Sequence, residues 1–404
     1  MARDIDPDCP HPTPARAFTE ALDRTTGDAE PSRLDAYALI RCADADLPAL
    51  LAAAAASRDR SKGRTVTYSR KVFLPITNLC RDRCSYCTFR KDPNDPGAWT
   101  MTRADITVWL QRARSQGCRE ALMCLGDRPE TAFRSHRETL RAFGHRSTIG
   151  YVREACEMAL AMGLLPHTNA GLLSVEEMRL LRPVNVSLGL MLETVSPRLR
   201  ARGMAHAHAP DKEPARRLAM IADAGRLSIP FTTGVLVGIG ETPEERVDSL
   251  FAIRNLHQAY GHIQEVIIQN FRAKPQIAMA QAPEPTAVEL ARAVAVARLT
   301  LGGDLNLQVP PNLSPDDHRL LLRAGINDWG GISPVTCDYV NPEAPWPEIA
   351  ALAATCRAEG FTLRERLPIY PQYMRAQFLD PALTGQVDRL AGAIREGTDA
   401  FAAH

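Results

Sequence analysis

"KVFLPITNLCRDRCSYCTFRKDP", residues 71–93, sets an apolar, β-branched run directly before a short loop that holds Cys80, Cys84 and Cys87 within eight positions. The run at 71–77 reads as a buried strand. Similar runs recur down the chain: "EALMCLG" (120–126), "LLPHTN" (164–169), "NVSLGLML" (185–192), "IPFTTGVLVGIG" (229–240), "EVIIQNF" (265–271), "LNLQVPP" (305–311) and "GINDWGGIS" (325–333). Between them lie amphipathic helical patterns, among them "TRADITVWLQRARSQG" (102–117), "TIGYVREACEMALAMG" (148–163), "DKEPARRLAMIADAG" (211–225) and "TPEERVDSLFAIRNLHQAY" (242–260). Strand followed by helix at this cadence is the signature of a parallel sheet.

Local punctuation supports the pattern. Gly117, Gly163 and Gly225 stand where helices end and suit a left-handed C-terminal cap. Thr242-Pro243-Glu244-Glu245 opens a helix with an N-cap, a first-turn proline and a capping-box glutamate. The expected fold is α/β, a TIM-type (βα) barrel with six core βα units extended to eight. Asn78, Asp127, His167, Asn169, Glu193, Glu241, Gln269, Asn270 and Asp328 are expected at one mouth, the C-terminal face where barrel enzymes carry their chemistry. Residues 1–65, with one helix near "LDAYALIRCADADLPALLAAAAASRDR", are expected to form an N-terminal helical extension, and residues 66–404 the barrel domain with a C-terminal extension.

Bulk properties exclude several classes. A net charge of +1 over 404 residues provides no basic field for nucleic acid. The Ala-rich segment 47–57 is too short to cross a bilayer and lacks signal-peptide flanks. The expectation is a cytoplasmic protein without nucleic-acid or membrane partners. Ten cysteines in so long a chain are too sparse for a disulfide scaffold, which leaves metal binding or catalysis for the tight trio.

Three thiolates are soft ligands suited to zinc or iron–sulfur chemistry. A structural zinc site uses four protein ligands, and the next cysteines, Cys118 and Cys124, flank the second strand as part of another element. A [4Fe–4S] cluster held by three cysteines leaves one iron open to a small molecule. A non-catalytic zinc or electron-transfer protein remains the alternative from a different class.

The Cys-x-x-x-Cys-x-x-Cys spacing after the first strand of a βα barrel resembles the radical S-adenosylmethionine superfamily. That resemblance implies a [4Fe–4S] cluster ligated by Cys80, Cys84 and Cys87, with S-adenosylmethionine on the open iron and reductive cleavage to a 5′-deoxyadenosyl radical. It further implies cofactor contacts at Tyr86 beside the adenine, Gly126 and Asp127 at the methionine amino group, and Glu193 at the ribose or carboxylate. "GVLVGIGE" (234–241) resembles the superfamily's G-x-I-x-G-x-x-E element, which brings in Gly234, Leu236, Gly238 and Glu241. Gln269 joins these contacts if it, rather than Asn270, faces inward.

Over roughly residues 68–370 a narrower resemblance holds. "YSRKVFLPITNLCRDRCSYCTF", "LLPHTNAGLLS", "IPFTTGVLVGIGET", "YGHIQEVIIQNFRAKP", "QVPPNLSP" and "GINDWGGISPVTCDYVNPEAPWP" are similar to the family of ring-closing subunits of 7,8-didemethyl-8-hydroxy-5-deazariboflavin synthase. The resemblance implies hydrogen abstraction from a hydroxybenzyl-ribityl-uracil adduct, closure of the central ring and expulsion of ammonia in coenzyme F420 biosynthesis. One cysteine motif implies the stand-alone ring-closing half, with a sister radical enzyme as pathway partner and an electron donor. "LMCLGDRPE" departs from the family pattern: Asp127 shortens the arm at the amino-group contact, and Cys124 reads as filling a small apolar slot. Another barrel-type radical enzyme, of the menaquinone-precursor or biotin-synthase kind, is the nearer rival.

The small-molecule substrate has many hydrogen-bonding groups and little charge, so amides and imidazole should line its site. His167, Asn169 and Asp328 are the candidate substrate residues, with Asp328 as a possible base. His206 and His208 are expected in a loop over the mouth. His262 and Glu265, just before or at the start of strand six, are expected at the stability face, and Cys9, Cys42, Cys118, Cys156, Cys337 and Cys356 are read as structural.

Overall fold

The first run forms β1 (Thr65–Pro75), which begins at Thr65, ahead of the apolar stretch. The computed structural model describes residues 13–25 and 30–397, so Cys9 lies outside the described residues. Seven further strands follow: β2 (Glu120–Cys124), β3 (Leu165–Asn169), β4 (Ser187–Gly189), β5 (Phe231–Val237), β6 (Ile263–Asn270), β7 (Asn306–Gln308) and β8 (Asp328–Ile332). Each pairs in parallel with the next, and β1 pairs with both β2 and β8, which closes an eight-stranded α/β barrel of the TIM type. A short strand, β9 (Thr362–Glu365), adds to the N-terminal half of β1 through Thr65–Tyr68.

Period-two alternation decides what each strand shows the lumen. On β1 Val72 and Leu74 are buried outward under the helices while Lys71 and Phe73 line the interior. Crossover helices begin on capping boxes at Thr102, Ser174 and Thr242, each a side chain satisfying the N–H three residues on. Gly117 and Gly163 take left-handed φ values of 67° and 86°. Gly225 does not: it lies within the helix Pro214–Arg226, where a Cβ would come within 2.6 Å of the Tyr260 ring, and Ser228 takes the left-handed φ of 52° instead.

The lead-in helix is split in two, Arg33–Ile40 and Leu47–Lys62, and a further helix, Pro14–Thr25, precedes them. Pro14–Thr25 packs on the other two, which in turn pack against the barrel helices Pro243–Tyr260 and Ala287–Leu301, and Tyr37 and Arg33 both reach Asp248. Among the described residues no helix is long and apolar enough to cross a membrane.

His262 precedes β6 and is wedged between the rings of Phe231 and Tyr260, with Nε2–H donating to the Ile221 carbonyl at 2.8 Å. Burial pushes its pKa down to about 4. A depressed histidine contributes stability that is full above the unfolded value and is lost as pH falls toward the folded one. Between pH ~6.5 and ~4 this amounts to about 3 kcal/mol. His262→Gln should therefore flatten the fall in urea-unfolding free energy over that window relative to the parent; an unchanged slope would contradict the assignment.

Candidate active site

The loop after β1 folds back across the C-terminal mouth. Asn78 pins it: Nδ2 donates to Gly97 O at 2.7 Å and Oδ1 accepts from Trp99 N at 2.8 Å. Arg83 N and Ser85 N donate to His208 O and Ala205 O, which ties the cysteine loop to the segment after β4. Cys80 Sγ accepts the Asp127 N–H at 3.1 Å. Gly126 permits that approach, since a Cβ there would stand 2.3 Å from Cys80 Cβ. Cys80, Cys84 and Cys87 all line one cavity of about 390 Å³ that runs down the lumen. Burial pushes the Cys80 thiol up to about 12 and Cys84 well above the ordinary value.

Thiolates around one tetrahedral zinc stand roughly 3.8 Å apart. Among the described residues, the group of metal-capable side chains whose ligand atoms all lie within 4.8 Å of one another is Asp82, Asp127 and Asp211, and the cysteines are not in such a group. The thiols are too widely spread for a single ion.

Asp211 is clamped by Arg81 Nε at 2.8 Å and Arg216 at 2.9 Å. Asp82 and Asp127 are less satisfied. Asp82 Oδ1 accepts from Asp211 N and Asp127 Oδ2 from Leu172 N, both at 3.0 Å, while Asp82 Oδ2 and Asp127 Oδ1 are buried without a hydrogen-bond partner. Burial, then the Asp211 charge, pushes Asp127 up to about 7.

Glu193 stands beside them with a left-handed φ of 65°. Its backbone is held by β5, N–H to Gly234 O at 2.9 Å and O from Leu236 N at 3.1 Å. Its carboxylate receives Tyr86 Oη at 2.5 Å, Lys212 Nζ, and His206 Nε2 at 3.1 Å. Burial alone would raise its pKa, but Lys212, the His206 hydrogen bond and Arg217 hold it well below the carboxylate range. Tyr86 thus lines the cavity with its ring while its hydroxyl is committed to Glu193 and His206.

Of the 234–241 element only Leu236 lines the cavity. Gly234 instead lets β6 approach, a Cβ there falling 2.2 Å from Ile267 O, and Gly238 (φ 94°) packs on Pro285. Glu241 is turned away: its carboxylate accepts from Gly238 N and Ile239 N, both at 2.9 Å, and pairs with Arg246. These three are corrected from cofactor contacts to parts that shape the strand and its turn.

Asp328 is also corrected. It is the first residue of β8, at the end opposite the mouth, fully buried, gripped by Arg366 through Nε at 2.7 Å and Nη2 at 2.9 Å, and by Thr67. A carboxylate so paired beneath the lumen has no access to a ligand at the mouth. His167 and Asn169 do line the cavity; His167 Nδ1 lies 2.6 Å from Ser187 Oγ, and burial pushes its pKa down to about 4. Gln269 and Asn270 both line it, because β6 ends there and alternation lapses. Glu265, expected at the stability face, lines the cavity as well, as does Cys124. Lys71, Glu120 and Arg366 were not foreseen: the first two alternate with the lumen-facing Phe73 and Leu122 and could have been found from that period, whereas Arg366 follows β9 and carries no local signal.

A protein of Methanopyrus kandleri bearing the name 7,8-didemethyl-8-hydroxy-5-deazariboflavin synthase is 48% identical over 327 residues, 81% of this chain and 98% of that protein. The chain belongs to this family. The Radical SAM superfamily model matches residues 74–253, which takes in the last two residues of β1, the cysteine loop and the Glu193 site. The FO synthase of Streptomyces coelicolor is 47% identical over 93% of this chain, which spans only 44% of that longer protein. HydG from Carboxydothermus hydrogenoformans, a maturase of FeFe-hydrogenase, shares the fold with a TM-score of 0.70 at 16% identity, over 87% of this chain and 80% of that one.

Membership in a radical S-adenosylmethionine family brings a [4Fe–4S] cluster and S-adenosylmethionine as cofactors. The residues fit both. Three cavity-lining thiols too spread for one ion are the donor set of a multi-iron cluster, and Gly126 leaves room against Cys80. The two orphaned carboxylate oxygens of Asp82 and Asp127 require a cationic or hydrogen-bond-donating partner, which an α-ammonium group provides.

Proposed function

We propose that this chain converts 5-amino-5-(4-hydroxybenzyl)-6-(D-ribitylimino)-5,6-dihydrouracil to 7,8-didemethyl-8-hydroxy-5-deazariboflavin with release of ammonia, as a carbon–nitrogen lyase of coenzyme F420 biosynthesis. The observation that carries the reading is the match to the M. kandleri protein of that name over 98% of its length, supported by a lumen open beneath the cysteine loop. Cys80, Cys84 and Cys87 would hold the cluster, Asp82 and Asp127 the ammonium of S-adenosylmethionine, and Tyr86 and Leu236 would wall the nucleoside. When bound, the cluster and S-adenosylmethionine supply a radical that abstracts hydrogen from the substrate.

The remaining work belongs to the chain. Its loop closes the mouth and excludes water, Glu193 fixes Tyr86, and His167, Asn169 and Gln269 orient the adduct below. His167, held neutral by burial, can hydrogen-bond a substrate N–H or O–H without taking up its proton. A sister radical enzyme would supply the adduct and a cytoplasmic electron donor would reduce the cluster. The helices between Pro14 and Lys62 act as an extension, and the catalytic domain starts with β1 at Thr65.

The test is direct: anaerobically reconstituted protein, given the adduct, S-adenosylmethionine and dithionite, should produce deazaflavin fluorescence together with 5′-deoxyadenosine. Cleavage of S-adenosylmethionine with no fluorophore from the genuine adduct would overturn the substrate assignment.

A further inference from the structure

Three strands of the cavity wall show one order from the closed end upward. β2 presents Glu120, Leu122 and Cys124; β6 presents Glu265, Ile267 and Gln269; β1 presents Lys71 and then Phe73. The cavity is therefore charged at its closed end, mostly apolar in the middle, where His167 of β3 stands level with Leu122, and mostly polar at the mouth. The charges are already paired with one another: Lys71 with Glu120 at 2.8 Å, and Arg366 with Glu265 at 2.6 Å and with Asp328. Of the groups that line the cavity, two cations, Lys71 and Arg366, meet two carboxylates, Glu120 and Glu265, with Asp328 buried behind them. The lining therefore offers little net charge to an ionic ligand, while its carboxylate lone pairs and remaining N–H groups still make hydrogen bonds.

Strand glycines make room for these polar groups. A Cβ at Gly331 would fall 1.7 Å from Lys71 Cε, one at Gly330 1.9 Å from Gln308 Nε2, and one at Gly189 2.9 Å from His167 Nε2. Two strands, β4 and β8, thus give up side chains of their own so that a neighbour's polar group can cross the lumen, which is a built site rather than a filled core.

We propose that the closed end of the cavity is a subsite for a neutral, hydroxyl-rich chain, gripped by Lys71, Glu120, Glu265 and Arg366. Resting on the function proposed above, this assigns the ribityl chain of the adduct to the floor, its aromatic ring to the apolar belt of Phe73, Leu122 and Ile267, and its reacting carbons to the level beneath the cysteines. The adduct enters chain first.

Equilibrium dialysis of the protein with 6-ribitylaminouracil and with 6-methylaminouracil tests the subsite without any turnover. The native protein should bind the ribityl probe at least about tenfold more tightly, since a site built to hydrogen-bond hydroxyls rejects a ligand lacking them. Glu265→Gln and Lys71→Met should each cut that preference to about threefold or less. Equal binding of the two probes by the native protein, or a preference intact in both folded variants, would overturn the subsite; the native comparison decides even if a variant fails to fold. A ribityl preference without fluorophore from the genuine adduct would sink the proposed reaction and leave the subsite standing. Fluorophore formation with equal probe binding would do the reverse.

Discussion

Cys84→Ala should lose the brown cluster absorbance on reconstitution, and 5′-deoxyadenosine and deazaflavin formation should both fall by at least about a thousandfold. Cys84 is the informative choice among the three. Cys80 also accepts the Asp127 N–H, so its removal disturbs the carboxylate site too. The Cys84 backbone bond to Cys87 N survives substitution, which leaves the loop in place. A cluster held by three thiolates does not tolerate the loss of one, because the exposed iron then takes water and dissociates. The far-UV spectrum should be unchanged. Retained 5′-deoxyadenosine production in a folded Cys84→Ala protein would contradict the assignment of this loop as the ligand set.

Arg366→Met should destabilise the protein by about 3–5 kcal/mol, because it leaves buried carboxylates without their counter-charge. Arg366 is 8% exposed and joins Asp328 to Glu265, and its ring contact with Tyr370 lies at 4.3 Å. Burial raises the pKa of Glu265 against the opposing pull of Arg366, so without the guanidinium at least one of the two acids must take up a proton to remain buried. The measurement is the urea-unfolding free energy near neutral pH. Adding Asp328→Asn to Arg366→Met should recover part of the loss, since an amide removes the orphaned charge while keeping hydrogen bonds to Thr67 and Gly330. Additive losses in the double variant would mean that the pair is not coupled.

The barrel was legible because its signals are local. Each apolar run of residues 71–333 falls on one of the eight barrel strands, although β1 and β6 begin ahead of theirs, and the capping boxes begin helices that separate them. The cysteine loop was legible for the same reason, its spacing lying within one short segment. Depth was not legible. Asp328 was placed at the mouth because "GINDWGGIS" does not reveal that the ladder starts at the aspartate, and Glu265 was assigned to the far face because nothing in its run shows how far down the cavity reaches. Glu241 and the glycines at 234 and 238 matched a pattern whose residues here shape backbone, a distinction only the positions of Arg246, Ile267 and Pro285 make. Arg366 comes from a segment remote from every strand it neutralises.

The pairing of β1 with β9, and of Arg366 with the lumen acids, bears on how the molecule is made. On a ribosome β1 and β2 emerge early, Glu265 and Asp328 later, and the guanidinium that lets those acids be buried only after residue 366 has left the tunnel. Until then the nascent barrel has a hydrated, unsealed base, and β1 waits with one edge bare for partners some 260 residues downstream in β8. Closure is a late, long-range event, so premature termination before β9 yields a chain with its strands present and its base open, a natural substrate for chaperones and proteases.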